Sequence, residues 1–167
     1  IKFFRLGPSK ISLHDLLSKI KLENANKKYD CVIGISGGVD SSFVLINAIN
    51  EGLRPYVVHM NNTWNDALAD ENISNLIAST GVKLHTNIQD SVVFDKTLRC
   101  LVDADVVDLE ILYDNLAFSS LYKAANRIDV KYILGGQNYQ TEGYAMPPSW
   151  NWFKYDKKNI YSICKEF

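Results

Sequence analysis

The chain has 167 residues, of which 47% are hydrophobic and 22% are charged, as expected for one globular domain with a buried core. Its formal net charge of −1 excludes the strongly basic character typical of proteins that bind duplex nucleic acid, so no nucleic-acid partner is expected. No apolar run approaches the roughly 20 residues of a membrane span, and the three cysteines form no Cys-x-x-Cys pair, which favours a cytoplasmic protein with no membrane partner.

The predicted elements alternate between helix and strand. Apolar residues at helical spacing predict a helix over 11–22, within an N-terminal helical extension (1–28). Strands are predicted at 31–35, 56–60, 82–87 and 131–134, helices after residue 42 and at 66–80, 90–104 and 115–128, and a fifth strand at 159–164. Strand, helix, strand in this order implies right-handed crossovers, and therefore an α/β fold with a three-layer, doubly wound parallel sheet. We interpret 1–167 as a single domain, and the missing initiating Met is compatible with a fragment of a longer chain.

The loop that follows the first predicted strand, residues 36–42, is Ser-Gly-Gly-Val-Asp-Ser-Ser. A strand-to-helix junction directs backbone N–H groups and the positive end of the helix dipole at one small volume, which favours a phosphate. Gly37 and Gly38 let the main chain approach that ligand. Hydroxyl donors come from Ser36, Ser41 and Ser42.

Asp40 is the acidic member of this loop, and a carboxylate beside phosphates needs a cation between them. We therefore predict that Asp40 binds Mg²⁺, which prefers oxygen ligands. A Walker loop is excluded because no lysine occurs between Lys28 and Lys83, and the pattern Gly-x-Gly-x-x-Gly is also missing. The alternative is a Ser/Gly-rich turn without a ligand, in which Asp40 or Ser41 is the helix N-cap.

Residues 36–42 resemble the pyrophosphate loop of the PP-loop ATPase superfamily, whose fold is adenine nucleotide alpha hydrolase-like. In that superfamily ATP is cleaved between its α and β phosphates, and the adenylated oxygen is displaced by a nitrogen or sulfur nucleophile. The resemblance implies ATP and Mg²⁺ as cofactors, and it places Met60 beside adenine, although a core methionine is equally compatible. It implies catalytic roles for Ser36, Asp40 and Ser41 and nucleotide binding by Ser36, Gly37, Gly38, Val39, Asp40, Ser41 and Ser42. Gly135 and Gly136, at the end of the last predicted core strand, suit the far wall of the same site.

Over nearly its whole length the chain is similar to the N-acetyl sugar amidotransferase family of bacterial surface-polysaccharide and nonulosonic-acid pathways. The similarity lies at 29–34, 52–55, 62–65, 108–110, 132–138, 141–143 and 147–150. It implies that the amide oxygen of a nucleotide-linked N-acetyl sugar is adenylated and then replaced by ammonia, which gives an acetamidino sugar. It also implies a separate glutamine amidotransferase subunit that supplies the ammonia, and it is compatible with a homo-oligomer. The N-terminal cysteine cluster of many family members is missing here.

Several polar and aromatic residues are candidates for substrate binding. The acidic ones suit a second metal or sugar hydroxyls, but solvated loop carboxylates are an equally good interpretation. The candidates are Asp108, Glu110, Asn138, Thr141, Glu142 and Trp150, and Trp64 is a further possible stacking residue. His59 and His85, at predicted strand ends, are interpreted as satisfied structural histidines, with contact to the substrate as the alternative for either. Alternative functions are another PP-loop reaction, such as tRNA thiolation or GMP or NAD synthesis, and a non-catalytic nucleotide-binding module.

Overall fold

The fold is described from a computed structural model, which covers residues 12–137 and 153–166. In these residues four parallel strands form one sheet in the order β3-β2-β1-β4. The strands are β1 (Cys31–Gly34), β2 (Pro55–Asn61), β3 (Leu84–Ile88) and β4 (Ile133–Leu134). The helices are α1 (Leu13–Glu23), α2 (Val39–Asn50), α3 (Ala67–Thr80), α4 (Ser91–Asp103), α5 (Glu110–Arg127) and α6 (Lys157–Glu166). None of these helices is both long and apolar enough to cross a membrane.

Helices cover both faces of the sheet, as the α/β prediction requires. On one face, α1, α2 and α3 pack on the sheet through Ile20, Leu45 and Ile73, beside the inward residues Ile33 and Val57. On the other face, α5 packs through two alanines on three strand residues, a cluster made of Val32, Tyr56, Val58, Ala124 and Ala125. The small alanine side chains let α5 lie close to the sheet, and burial of the apolar surface stabilises all three layers.

A third hydrophobic cluster joins α4, α5 and α6. Its buried members are Phe94, Leu101, Ile111 and Leu112, and Ile160 and Ile163 of α6 pack against them. The prediction of a strand at 159–164 is therefore wrong: three-residue spacing places both isoleucines on the inner face of a helix. This packing also brings the thiols of Cys100 and Cys164 into hydrogen-bond contact.

Helix α5 begins earlier than the sequence predicts, at Glu110 rather than at residue 115. Asp114, the residue before the predicted start, therefore lies inside the helix. The Asp108 carboxylate instead accepts a hydrogen bond from the backbone N–H of Glu110, at 3.1 Å. This contact satisfies a backbone donor that the start of a helix leaves open.

At the opposite edge of the sheet from the predicted site, an ion pair joins the starts of β1 and β2. The buried carboxylate of Asp30 lies 2.6 Å from Nη2 of Arg54 and also accepts the Arg54 backbone N–H at 2.7 Å. The hydrogen bond to Asp30 raises the pKa of Arg54. The pair helps to fix the β1–β2 register, in which Cys31 lies opposite Pro55.

Candidate functional site

The β1–α2 loop and the segment after β4, both predicted to belong to the nucleotide site, lie together where the strand order reverses. Because β2 lies on one side of β1 and β4 on the other, the segments after β1 and β4 border one crevice at the carboxyl edge of the sheet. Gly136, which follows β4, lies directly on the first turn of α2. A Cβ atom built on Gly136 would be 2.8 Å from the Asp40 carbonyl carbon and from the Ser41 backbone nitrogen. The structure thus brings the two glycine-containing segments predicted for the site into contact.

The three serines shape the loop between β1 and α2 through hydrogen bonds inside it. The Ser41 hydroxyl accepts the backbone N–H of Ser36 at 3.2 Å and lies 3.3 Å from the Ser36 hydroxyl. The hydroxyls of Ser41 and Ser42 donate to the Gly38 carbonyl at 3.1 and 2.8 Å. These contacts hold residues 36–38 against the start of α2, so the loop has a defined conformation in the ligand-free chain.

The N-cap of helix α2 is Gly38. Among residues 12–137 and 153–166, no side chain forms a capping hydrogen bond with its first turn. The interpretation of Asp40 or Ser41 as the N-cap is therefore wrong, because both residues lie within the helix. The first backbone N–H groups of a helix have no partner inside it and carry partial positive charge. An uncapped N-terminus next to a glycine loop is suited to a phosphate group.

Asp40 has the properties expected of a magnesium ligand that depends on a nucleotide for the rest of its shell. Its side chain is exposed in the first turn of α2 and has no hydrogen-bond or ion-pair partner among the residues that the structure describes. Within 12–137 and 153–166, no three His, Cys, Asp or Glu side chains are grouped to hold a metal ion. Mg²⁺ is commonly bound by one or two carboxylates, with phosphate oxygens and water completing the shell. The residues present therefore fit Mg²⁺ bound together with phosphates.

Gly37 shows why the second position of the loop cannot carry a side chain. Its φ angle is +81°, and a Cβ atom there would lie 2.4 Å from the Ala69 carbonyl oxygen of α3. The side chain of Asn72, one turn later in α3, donates to the Gly37 carbonyl at 3.1 Å. Helix α3 thus supports the loop from behind. Sequence reasoning identified the glycine but missed Ala69 and Asn72, which no local motif marks.

His59 connects the end of β1 to the segment before α3. Its Nδ1 lies 3.0 Å from the Ile35 carbonyl oxygen, and its Nε2 lies 2.9 Å from Nδ2 of Asn65. Asn65 also donates to the carboxylate of Asp70 at 2.9 Å. Since the amide of Asn65 donates to Nε2, Nδ1 carries the ring proton and donates it to Ile35. The interpretation of His59 as a structural histidine is confirmed.

The carboxyl end of β2 contributes Met60 and the turn that leads to Trp64. Met60 is half-buried and lies opposite Asn87 of β3. Asn61 and Asn62 fix the turn, because their side-chain oxygens accept the backbone N–H groups of Thr63 and Trp64 at 2.7 and 3.1 Å. The Trp64 side chain is 57% exposed, and its ring packs edge-on against Phe94 with the ring centres 5.9 Å apart. An exposed aromatic face is thus held near the carboxyl end of β2.

The acidic substrate candidates lie in a different environment. Asp108 and Asp114 both bind the ammonium group of Lys154, at 3.0 and 2.6 Å. Although burial opposes the charge of Lys154, its hydrogen bonds to the two carboxylates raise its pKa. Asp108 thus has a structural partner, whereas Glu110 is exposed in the first turn of α5. Outside the described residues lie Asn138, Thr141, Glu142 and Trp150.

No protein-family model and no curated protein matches the chain by sequence. Solved structures do match. The NH3-dependent NAD synthetase of Campylobacter jejuni subsp. jejuni aligns with a TM-score of 0.60 at 16% identity, over 93% of this chain and 73% of that one. The glutamine-dependent NAD+ synthetase of Acinetobacter baumannii aligns with a TM-score of 0.59 at 17% identity, over 86% of this chain and 30% of that one. The NMN synthetase of Francisella tularensis aligns with a TM-score of 0.56 at 18% identity, over 78% of this chain and 56% of that one.

These neighbours confirm the predicted fold, an α/β fold with a parallel sheet and helices on both faces. The chain spans 30% of the length of the Acinetobacter enzyme and 56% of that of the Francisella enzyme. At these identities the likeness is one of fold.

Proposed function

We propose that this chain is an ATP-dependent ligase that cleaves ATP to AMP and pyrophosphate in order to activate a carbonyl oxygen. The observation that carries the proposal is the N-terminus of α2, which has Gly38 as its N-cap and no side-chain cap among the described residues. It contacts Gly136 at the point where the strand order reverses. Such a junction binds anionic groups. The fold shared with NAD and NMN synthetases supports the same conclusion.

In this proposal the loop residues hold the pyrophosphate part of ATP. Backbone N–H groups of the first turn of α2 donate to phosphate oxygens, and Ser36 adds a hydroxyl at the exposed side. Gly135 and Gly136 border the nucleotide from β4, and Met60 lies against the adenine. Asp40 holds Mg²⁺, which when bound offsets the negative charge that develops on the departing pyrophosphate.

For the acceptor, we propose the acetamido group of a nucleotide-linked N-acetyl sugar. The amide oxygen attacks the α-phosphorus and pyrophosphate leaves. Ammonia then attacks the amide carbon, AMP departs with the former amide oxygen, and the nitrogen loses a proton to leave an amidine. The motif similarity to N-acetyl sugar amidotransferases supports this acceptor, and Trp64 offers an exposed ring on which a sugar could stack. Asp108 and Glu110, with the four candidates outside the described residues, stay proposed contacts for the substrate.

A separate glutaminase subunit is proposed as the source of ammonia. A glutaminase that uses cysteine needs a reactive thiolate. Cys31 is fully buried, and burial followed by the nearby Asp30 charge raises its pKa to about 12. Burial also raises the pKa of Cys164, so the environment of neither thiol favours the reactive thiolate.

NAD synthesis is the second candidate function, because three solved structures that share the fold are NAD or NMN synthetases. Both candidates share the activation of a carbonyl oxygen and differ in the acceptor. Product identity therefore separates them.

The experiment incubates the chain with ATP, Mg²⁺ and ammonium, together with UDP- or CMP-linked N-acetyl sugars or with the carboxylate precursor of NAD. Replacement of oxygen by NH lowers the mass of the sugar product by about one unit, and AMP and pyrophosphate form in equal amounts. Asp40→Asn, which keeps the side-chain size and removes the charge, is expected to lower the rate on the order of 100-fold. Amidation of the NAD precursor alone would contradict the sugar acceptor. ATP binding without pyrophosphate release with any acceptor would contradict the ligase.

A further inference from the structure

A second cleft, separate from the candidate ATP site, lies between the edge strand β3 and helix α5. It has a volume of about 230 Å³ and is on the face of the sheet opposite α2 and α3. Its lining includes His85 and Asn87 of β3 and Ser120, Lys123 and Arg127 of α5. The volume is below the roughly 300–1,000 Å³ of pockets for drug-sized ligands, so the cleft suits a small molecule or one small group.

One lining residue of the cleft, His85, has a buried ring nitrogen without a partner among the residues described. The His85 ring stacks on Tyr56, with the ring centres 3.9 Å apart and the planes 11° from parallel. Nε2 of His85 is buried and has no hydrogen-bond partner within the described part of the chain. A buried nitrogen without a hydrogen bond costs free energy, which a bound ligand would recover.

The wall of the cleft carries two positive charges without counter-charges. Lys123 and Arg127 are four residues apart and therefore lie on the same side of α5. The Arg127 guanidinium lies over the Tyr56 ring, 5.6 Å from its centre, and hydrogen bonds to the Tyr56 hydroxyl. In 12–137 and 153–166, no carboxylate forms an ion pair with Lys123 or Arg127. Uncompensated cations around a small cleft favour an anion.

Polar groups continue around the cleft beyond the two cations. The Asn87 amide donates to the Ser120 hydroxyl at 2.7 Å, and that hydroxyl donates to the Leu116 carbonyl at 2.8 Å. These bonds fix the Asn87 amide beside the cationic wall. The cleft therefore combines charge with oriented hydrogen-bonding groups.

We propose that this cleft binds one small phosphate-bearing anion, either inorganic phosphate or a simple phosphomonoester. Lys123 and Arg127 supply the charge, and the His85 side chain lines the cleft beside them. A phosphate presents several strong acceptor oxygens to these donors. The site is distinct from the loop after β1, so its occupancy does not depend on ATP chemistry.

Binding of the anion would change the protonation of His85. Burial, followed by the charges of Lys83, Arg127 and Lys28, lowers the pKa of this histidine in the ligand-free chain. A bound dianion opposes those positive charges and stabilises the protonated ring. Phosphate binding is therefore expected to be accompanied by proton uptake at His85.

The test is a nuclear magnetic resonance titration of the three histidines with inorganic phosphate at constant ionic strength. The His85 ring signals are assigned by their loss in His85→Phe. We expect these signals to shift with phosphate until binding saturates. We also expect the pKa of His85 to be higher at saturation than without phosphate. Lys123→Gln is expected to weaken binding by about tenfold or more, as the loss of a charged hydrogen bond implies. The matched control, Lys158→Gln on α6, is expected to leave the affinity unchanged.

Two further arms separate this site from other sources of the signal. Ser36→Ala alters the loop after β1 and is expected to leave the His85 titration unchanged, even if it abolishes ATP binding. Glycerol 3-phosphate in place of phosphate shows whether the cleft accepts a monoester or only the free ion. The proposal would be overturned by a His85 shift that does not saturate with phosphate. It would also be overturned if Lys123→Gln and Lys158→Gln changed the phosphate affinity equally, or if Ser36→Ala abolished the shift.

Discussion

At the scale of single residues, the candidate site depends on two glycines that have no room for a side chain. Gly37 lies against Ala69 of α3, and Gly136 lies against the backbone of Asp40 and Ser41. Gly37 combines the lack of space with a positive φ angle of +81°, whereas Gly136 needs space alone. Close backbone packing from two sides holds the loop in place.

Gly136→Ala tests this contact. A Cβ atom 2.8 Å from two backbone atoms forces the segment after β4 or the start of α2 to move. We expect the free energy of unfolding to fall by about 1–3 kcal/mol, the usual cost of overpacking. Gly135→Ala is the matched control, because its Cβ would meet nothing within 4 Å, and we expect a change within about 0.5 kcal/mol. Urea denaturation of both variants measures the difference, and equal values would mean that the contact is relaxed in solution.

His85 gives a pH prediction at the same scale. Burial and the charges of Lys83, Arg127 and Lys28 lower its pKa below the ordinary value of 6.5. On acidification the unfolded chain binds a proton at this residue near pH 6.5, whereas the folded chain binds it only at lower pH. The free energy of unfolding should therefore decrease as the pH falls through this window.

Denaturation of wild type and His85→Phe at about pH 7.5 and about pH 5.5, in phosphate-free buffer, isolates that contribution. We expect a smaller loss of stability in the variant, since phenylalanine can retain the stacking on Tyr56 and cannot take up a proton. His14→Gln, at an exposed position of α1, serves as the control and should keep the wild-type pH dependence. If the free energy of unfolding of His85→Phe fell with pH as much as that of wild type, the assignment of this pH dependence to His85 would be contradicted.

At the scale of elements, Lys154 connects the segment before α6 to α5. Its ammonium group binds Asp108 before α5 and Asp114 inside it, while its backbone carbonyl accepts the Asn115 amide at 2.9 Å. The Lys154 side chain is 13% exposed, so its ion pairs are screened by water less than surface pairs are. Three residues of the α5 region thus fix the position from which α6 starts.

Lys154→Met keeps the apolar stem and removes the charge. We expect the free energy of unfolding to fall by about 1–2 kcal/mol, because the two partly exposed carboxylates regain water but lose their partner. Lys158→Met, at an exposed position of α6, is the control and should change little. A double-mutant cycle with Asp114→Asn measures the coupling between the charges. A coupling near zero would show that the pair does not stabilise the fold.

At the scale of the whole molecule, the fold places two chemically different clefts on one sheet. The loop after β1, Gly136 and the end of β2 lie at the carboxyl edge, where ligands bind in open α/β sheets. The cationic cleft lies on the α5 face instead. Ligands at the two sites can therefore be studied independently.

The nitrogen source is a prediction about the molecule as a whole. With ATP, Mg²⁺ and a suitable acceptor, we expect ¹⁵N from ammonium to enter the product and ¹⁵N from the glutamine amide not to enter it. The reason is that Cys31 is buried and its pKa is raised to about 12, so it cannot attack glutamine. Mass spectrometry of the product measures the incorporation. Transfer from glutamine by this chain alone would contradict the proposed need for a separate glutaminase.

The sequence predicted the elements that carry strong local signals. The β-branched run of β1, β2 and α3 were predicted within one residue, whereas α2 begins at Val39, before the predicted start after residue 42. The prediction failed at α6 and at the start of α5. In both places a short polar-apolar stretch is compatible with helix and strand alike, and packing against α4 decides between them.

By itself, the sequence determined the alternation of elements, the glycine- and serine-rich loop and the acidic residue within it, because these depend on residue type and local periodicity. Only the tertiary structure decided that Gly136 meets α2, that α3 supports Gly37, and that His85 lines one cleft with Lys123 and Arg127. These contacts join residues far apart in the chain. They are fixed by the strand order and by the faces on which the helices pack, which no local pattern encodes.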